Sequence, residues 1–390
     1  MKVVIVGGVA AGTKVAAKLK RENRDHEVII LTKSKEISYA GCGLPYYVGN
    51  IIKDQAQLIV NTPEKFSKLT GAQVFTETEV VGLDRENKSV KAIDLRTNEE
   101  VTFSYDKLVI ATGASPVKPP IEGIDLPGVY FMRTPEDAIN LRADIEAGKI
   151  KRAAVIGAGY IGLEVAENMA LQGVKVSVIE MAPNILTGFD KEFAEYAENK
   201  LADHGIMAFT GTKLEAILGE GKVEKIQTSR RAMKVDAVIM SVGIRPNTAF
   251  LADTGIELMP NGTVKVNEYF ETNDADIYSA GDCAMVKNIL TGAPTWSPMG
   301  SSANIEGRIL AQNINGKRIA YRGVVGTAVA KLLPNLNVGR TGLTEVAAKE
   351  AGFNPISVVT VVDDKAHYYA GASNFMIKLI VDKDSLKVLG

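Results

Sequence analysis

The chain is poor in the residues that build covalent or metal-held frameworks. Two cysteines, Cys42 and Cys283, and three histidines occur in 390 residues. That excludes a disulfide scaffold or a cysteine-rich zinc site, calls for no metal, and suits a reducing, cytoplasmic setting. Charge of one sign is missing too: 45 Lys and Arg face 46 Asp and Glu, a formal net charge of -1. No global field therefore recruits nucleic acid or anionic lipid. Long apolar runs are absent, and nothing approaches the roughly 18 residues of a membrane-spanning helix. The apolar opening Val3–Ala11 contains two adjacent glycines and runs into a Lys-rich amphipathic stretch, which reads as a buried strand and turn, not as a leader peptide. Low-complexity tracts are lacking, and the length favours two or three domains.

What is present is one supersecondary unit used twice. Val3-Val4-Ile5-Val6 is a run of the kind buried on both faces of a parallel sheet; glycines follow, then Thr13–Arg21 with helical spacing, then a second strand, His26–Leu31. The same order returns at Ala153–Ile156, Gly157–Gly162, a helix through Asn168 and a strand at Lys175–Ile179. Between the copies lies a β-rich stretch, Gln73–Val109. A Pro/Gly-rich crossover, Ser115–Gly128, follows it, and a second boundary falls near Gly243–Asn247. After a helix-like Ser301–Asn313, Gly316 and Gly323 open a third region of alternating apolar and polar strands.

The second copy is a full Gly-x-Gly-x-x-Gly between a strand and a helix, the context that makes the pattern specific. Gly157 makes the turn, Gly159 admits a pyrophosphate to the backbone and Gly162 lets the helix pack closely. Glu180 ends the next strand, where a carboxylate accepts from ribose hydroxyls and repels a 2′-phosphate, so NADH is favoured over NADPH. The first copy is degenerate: Gly7 and Gly12 are in place, but Val9 replaces the middle glycine and Thr32 the acidic residue.

Two later segments, Tyr105–Gly113 and Thr272–Asp282 with its Ala-Gly-Asp, carry a resemblance to flavoproteins with two dinucleotide-binding domains. The resemblance implies FAD at the first unit, contacted by Gly7, Gly8, Ala10, Ala11, Gly12, Thr32, Lys33, Cys42, Val80, Ala111, Thr112, Gly113, Gly281, Asp282, Ser301 and Ala303. Asp282 is the implied partner of the ribityl hydroxyls, a role compatible with its being a helix N-cap. NADH is implied at the second unit, contacted by Gly157, Gly159, Tyr160, Ile161, Gly162, Glu164, Glu180 and Gly243, with Tyr160 as a gate over the nicotinamide beside Glu164.

Ser38–Tyr47 contains Gly41-Cys42-Gly43-Leu44-Pro45-Tyr46-Tyr47 just after the second strand of the first unit. A cysteine between glycines beside a flavin passes electrons between the ring and sulfur, and does so as a thiolate. No second cysteine is near in sequence, so Cys42 cycles through a mixed disulfide with a substrate or through a sulfenic acid. The segment resembles the single-cysteine branch of the pyridine nucleotide-disulfide oxidoreductases, which holds coenzyme A-disulfide reductases, persulfide reductases and NADH oxidases. Ala10 stands where the oxidases and peroxidases of that branch place a histidine, which argues against a dedicated peroxidase. Cys283 reads as packing, and His26 and His204 as surface or loop residues.

The resemblance implies an α/β chain of two Rossmann-like domains and an α+β dimerisation domain. FAD takes 1–115 with 248–318, NAD takes 116–247, and the interface domain takes 319–390, incomplete at Gly390. A homodimer is implied, with Tyr368 and Tyr369 as catalytic residues and His367 near the partner's site. Lys18, Lys20, Arg21 and Arg24 form a basic cluster on the first helix, from which Arg21 and Lys18 are taken as substrate contacts with coenzyme A as ligand. The resulting expectation is a reductase of a small disulfide, persulfide or polysulfide that uses FAD, NADH and Cys42. The alternatives are an NADH oxidase working through a Cys42 sulfenate, and an electron-transfer flavoprotein with a rubredoxin or ferredoxin as acceptor.

Overall fold

A computed structural model describes residues 1–390. Its first sheet is parallel, in the order Ile277–Ser279, Lys107–Ile110, Lys2–Val6, Glu27–Leu31, Gln73–Phe75. The second, also parallel, runs Met207–Phe209, Lys175–Ile179, Arg152–Ile156, Ala237–Met240, Val129–Tyr130. In each sheet the first strand of the unit is central, and Val3, Val4, Ile5 and Ala153, Ala154, Val155 are at most 1% exposed. This two-sided burial is why those strands read as unbroken apolar runs. Each unit also carries a three-stranded antiparallel sheet, at 78–104 and 214–234. The two crossovers read from the sequence lie side by side, Ala114–Pro116 pairing antiparallel with Ile244–Pro246.

The chain then forms the hairpin Ala328–Leu333/Leu336–Arg340, a short helix Glu345–Glu350 and a long hairpin, Pro355–Asp363 with Asn374–Asp382. Tyr321 and Val324 pack on the first unit's core, so that unit extends past 319. No helix is long and apolar enough to cross a membrane.

One segment changes allegiance. Residues 44–58 come from the first unit in sequence, yet Leu44, Tyr47, Val48 and Leu58 belong to the core of the second. There the short helix Leu44–Val48 meets the helix Tyr160–Leu171. The approach is so close that a Cβ on Gly49 would fall 2.0 Å from Asn168 Oδ1. Arg142, from the helix Pro135–Glu146, clamps the far side: Nη1 donates to the carbonyls of Tyr47 and Ile52, and Nη2 to Asn50 Oδ1 at 2.9 Å. Gly49→Ala is therefore expected to cost about 1–3 kcal/mol by overpacking. Asn168→Ala in the same chain should recover part of that loss, read as non-additive denaturant midpoints in a double-mutant cycle. Strictly additive losses would refute the contact.

Candidate active site

The two glycine turns have the same construction. Gly7 has φ +118° and Gly157 φ +99°. A Cβ on Gly7 would meet Ala111 O at 2.0 Å, and one on Gly157 would meet Ser241 O at 2.3 Å. A Cβ on Gly12 or Gly162 would fall 1.9 or 2.1 Å from the carbonyl of Gly7 or Gly157. The turns are thus pressed onto the neighbouring strand's exit, and each helix onto its own turn. Gly159, by contrast, faces open space, as do Gly243 and Gly300.

Six helix starts form two groups, while the helix Lys191–Asp203, behind Asp190, and the short helix Leu44–Val48 also lack a side-chain cap. The helices at Pro63, Pro135 and Glu345 are capped by the side chains of Thr62, Thr134 and Thr344. Those at Ala10, Tyr160 and Gly300 have Val9, Gly159 and Met299 at the cap and no side-chain acceptor. Their first N–H groups are left for an outside anion. Met299, not Asp282, is the cap residue of the helix Gly300–Ile314; Asp282 instead takes Arg133 Nη2 on its carboxylate at 2.8 Å. The pairing overrides the cap expectation because Asp282 lies in the turn before Ala284–Lys287, well ahead of that helix.

The other predicted first-unit residues surround this turn. Gly8 accepts from Ser38 N and backs onto Ile37. Ala11 and Ala303 both abut Gly281, while Ser301 is exposed in the first turn of its helix. Ala111–Gly113 follow the strand Lys107–Ile110, and Thr112 Oγ1 is buried with no partner. Asn247 braces that exit through Thr112 O and Gly113 O. Thr32 is buried, Lys33 is exposed and paired with Glu79 at 2.8 Å, and Val80 packs into the core beside the strand. A cavity of about 200 Å³ lined by Lys33, Tyr39, Glu77 and Thr134 opens beside them.

Cys42 lies in a single 3₁₀ turn, Gly41–Gly43, feeding the Leu44–Val48 helix, and it is exposed. The wall behind the thiol is nevertheless protein. Burial raises its pKa, the Glu164 and Asp282 carboxylates raise it further, and Arg133 opposes them. The chain by itself thus favours the thiol, where the sequence suggested a thiolate. The reason is burial first and then the two carboxylates that face the sulfur, while the one nearby guanidinium is already shared with Asp282. Cys283 is fully buried among Ser279 Oγ and the carbonyls of Ile110 and Ala280, as expected of packing.

Across from Cys42 stands one face of the Tyr160–Leu171 helix. Glu164 Oε1 accepts from Tyr46 OH at 3.2 Å and from Lys331 N at 3.3 Å, which joins all three regions at one oxygen. Tyr160 OH takes Arg340 Nε at 3.2 Å, and its ring meets Phe189 edge-on. Ile161 is exposed beside it. Glu180 accepts from Ala158 N and Ala182 N, both at 2.7 Å, which sets its carboxylate at the glycine turn.

Other expected contacts are not gathered. Lys18 pairs with Glu22 at 3.0 Å, and Lys20 donates to the carbonyls of Arg24 and His26. Of the basic cluster only Arg21 and Arg24 are exposed. Tyr368 and Tyr369, 74% and 60% exposed, sit with His367 at the tip of the long hairpin, away from any hydrogen bond to the Cys42 site. His26 corrects the surface reading: it is 8% exposed, with Nε2 against Asn315 Oδ1 at 2.9 Å. Arg133, Arg142, Arg340 and Lys331 went unnoticed in the sequence, which held no local signal for them.

Two dinucleotide-type units closing on one open thiol define an oxidoreductase of the two-nucleotide class. A family model described as pyridine nucleotide-disulphide oxidoreductase matches residues 1–303, and the dimerisation domain of the same family matches 332–390. The chain belongs to the pyridine nucleotide-disulphide oxidoreductases. It is 37% identical to an NADH oxidase of Methanocaldococcus jannaschii, over 100% of this chain and 86% of that one. It is 35% identical, with the same coverage, to a CoA-dependent NAD(P)H sulfur oxidoreductase of Pyrococcus abyssi. A solved NAD-dependent persulfide reductase from A. fulgidus superposes with a TM-score of 0.96 at 36% identity, over 100% of this chain and 73% of that one.

One buried group near this face gives a test of its electrostatics. Glu167 is 1% exposed, neither of its oxygens has a partner, and burial raises its pKa above the ordinary 4.5. The folded chain therefore keeps a proton that the unfolded chain releases above about 4.5, and stability drains as pH climbs from there. Glu167→Gln avoids that loss. Its melting temperature should exceed the wild type's at pH 8, with the gap closing toward pH 4.5; a constant gap would contradict the assignment.

Proposed function

We propose that the protein is an FAD-dependent reductase that uses NADH to reduce a small disulfide, persulfide or polysulfide at Cys42. The observation that carries this is the open, unpaired thiol held by the Leu44–Val48 helix against the nucleotide helix of the second unit. FAD, when bound, supplies the two-electron relay between nicotinamide and sulfur. The residues present fit it: the first N–H groups of the helices at Ala10 and Gly300 would take its anionic parts, Asp282 a ribityl hydroxyl, and the unpartnered Thr112 Oγ1 lies beside them. The uncapped helix at Tyr160 and the Glu180 carboxylate would hold NADH in the same manner.

Cys42, as thiolate, attacks one sulfur of the substrate; the S–S bond breaks, a thiolate leaves and takes a proton, and a mixed disulfide remains. Two electrons from NADH then split that disulfide and restore the cysteine. Tyr46 and Glu164, linked at 3.2 Å, are the chain's own proton-bearing groups beside the sulfur. Arg21, exposed and unpaired at the end of its helix, is the cation suited to the phosphates of a coenzyme A derivative. The long hairpin exposes Val358, Val359, Val361, Phe375, Ile377 and Leu379, an apolar surface that a second copy of this chain would cover in a homodimer. Two free thiols fit a cytoplasmic setting.

The oxidase reading has a specific support in the resemblance to NADH oxidases, and one experiment separates the two. Anaerobic turnover of a coenzyme A disulfide or polysulfide should be lost in Cys42→Ser, while flavin binding and its reduction by NADH survive. Full sulfur-reductase activity in the Ser variant would make Cys42 structural; brisk NADH-dependent oxygen consumption with no response to sulfur substrates would favour the oxidase. Arg21→Ala should raise KM for the coenzyme A substrate about tenfold, roughly 1.4 kcal/mol for one charge-assisted contact, and leave polysulfide turnover nearly unchanged.

NADPH should be disfavoured by about 1 to 3 kcal/mol, tenfold to more than a hundredfold in kcat/KM, because its 2′-phosphate would face Glu180. Equal kinetics with the two nucleotides would overturn that assignment.

A further inference from the structure

The helix Gly300–Ile314 carries a carboxyl group that the sulfur chemistry does not use. Glu306 is 1% exposed, and its Oε2 accepts the N–H of Gly281 at 2.7 Å. Gly281 has φ +82°, and a Cβ there would lie 3.0 Å from the Ala11 Cβ and 3.7 Å from the Ala303 Cβ. Glu306 thus holds the turn Ala280–Asp282 at the point where it meets the first turns of two helices, those beginning at Ala10 and Gly300. Both helices lack a side-chain cap. The carboxyl stands directly behind the junction assigned to the dinucleotide's anionic groups.

No cationic side chain compensates an ionised Glu306; only the Gly281 N–H favours it. Asp282, on the turn, adds repulsion. Tyr321, beyond the helix, is a phenol whose own pKa is raised by burial and then by Glu306. On the Ala10–Glu22 helix, Lys14 lies against Gly307 and Lys18 is engaged by Glu22. Tyr278 of the neighbouring strand sits under Lys107, and Arg308 on the same helix points outward and is exposed. Burial pushes the carboxyl up to about 7, although the Gly281 N–H works in the other direction.

Resting on the flavin reading above, we propose that Glu306 is a positioning residue which couples a proton to FAD binding, so that the bound dinucleotide keeps this carboxyl protonated. A diphosphate adds negative charge to a junction that already holds Asp282, and like charge disfavours the ionised carboxyl. Protonated, Glu306 retains a carbonyl oxygen for Gly281 N–H, and the turn keeps its place. The sign follows from linkage. The carboxyl's pKa is higher in the complex than in the free chain, so affinity is full below about 7 and falls as pH rises above it, by at most tenfold per unit, until the complex also ionises.

The test is FAD binding to the flavin-stripped full chain at pH 6.0 to 8.5, followed by quenching of flavin fluorescence. Calorimetry in two buffers of different ionisation enthalpy counts the protons. The wild type should bind FAD about fivefold or more weakly at pH 8.5 than at pH 6, and take up a fraction of a proton near pH 7.5. Glu306→Gln keeps an acceptor for Gly281 but cannot titrate, and should lose both the slope and the uptake. Tight binding with no proton uptake in the wild type, or an unchanged slope in the variant, overturns the proposal while leaving the flavin reading intact. Absence of FAD binding at every pH overturns both.

Discussion

The structure depends on the contact between the Leu44–Val48 helix and the Tyr160–Leu171 helix. The thiol stands on the turn that feeds the first, the nucleotide turn leads into the second, and they come from different units of the chain. Their approach is set by a glycine, Gly49, whose missing side chain makes room for Asn168. Leu44, Val48, Leu58, Leu163 and Ala166 are buried together there. At about 1.5–3 kcal/mol for each large apolar side chain, this seam is strong enough to fix the distance between the sulfur and the nucleotide helix. The hairpin Ala328–Arg340 packs on the same helix through Ala330, Leu332 and Leu333. All three regions therefore register on one twelve-residue element, and Glu164 at its middle is touched by each neighbour.

Given that seam, the chemistry gathers along one stretch of the helix. Cys42 and Tyr46 approach Glu164 from the first unit, and Tyr160, one turn before Glu164, meets Arg340 of the third region. The glycines shape the turns on either side: those that press on backbone keep the turns tight, and those facing space leave the entry free. The distinction between the two kinds is geometric and was not readable from the letters of the motif.

What was legible was local. Strand–glycine turn–helix order, the crossover segments and the buried status of Cys283 depend on neighbours in sequence, and the sheet topology agrees with them. The residues that tune the site were silent because each acts across a long separation. Arg133 reaches Asp282 over 149 residues, Arg142 reaches Tyr47 over 95, and Lys331 reaches Glu164 over 167. An arginine that clamps carbonyls looks in sequence like any solvated arginine. His26 was misread for the same reason, since its partner Asn315 is 289 residues away. The basic cluster is split for a different reason: Glu22 and two carbonyls take Lys18 and Lys20, while Arg21 and Arg24 stay exposed.

The electrostatics of the sulfur follow from the same long-range pairing. A cysteine between glycines suggested a thiolate, yet a thiolate needs a cation free to face it. Arg133 is the nearest candidate, and its guanidinium is bound to Asp282 at 2.8 Å. Glu164 adds a second negative group on the other side. Burial acts in the same direction and more strongly, so the chain alone stabilises the thiol. Asp282 enters twice, as Arg133's partner and as one of the two carboxylates that disfavour the thiolate, so the ion pair between the two units ties the turn Ala280–Asp282 to the charge around the sulfur.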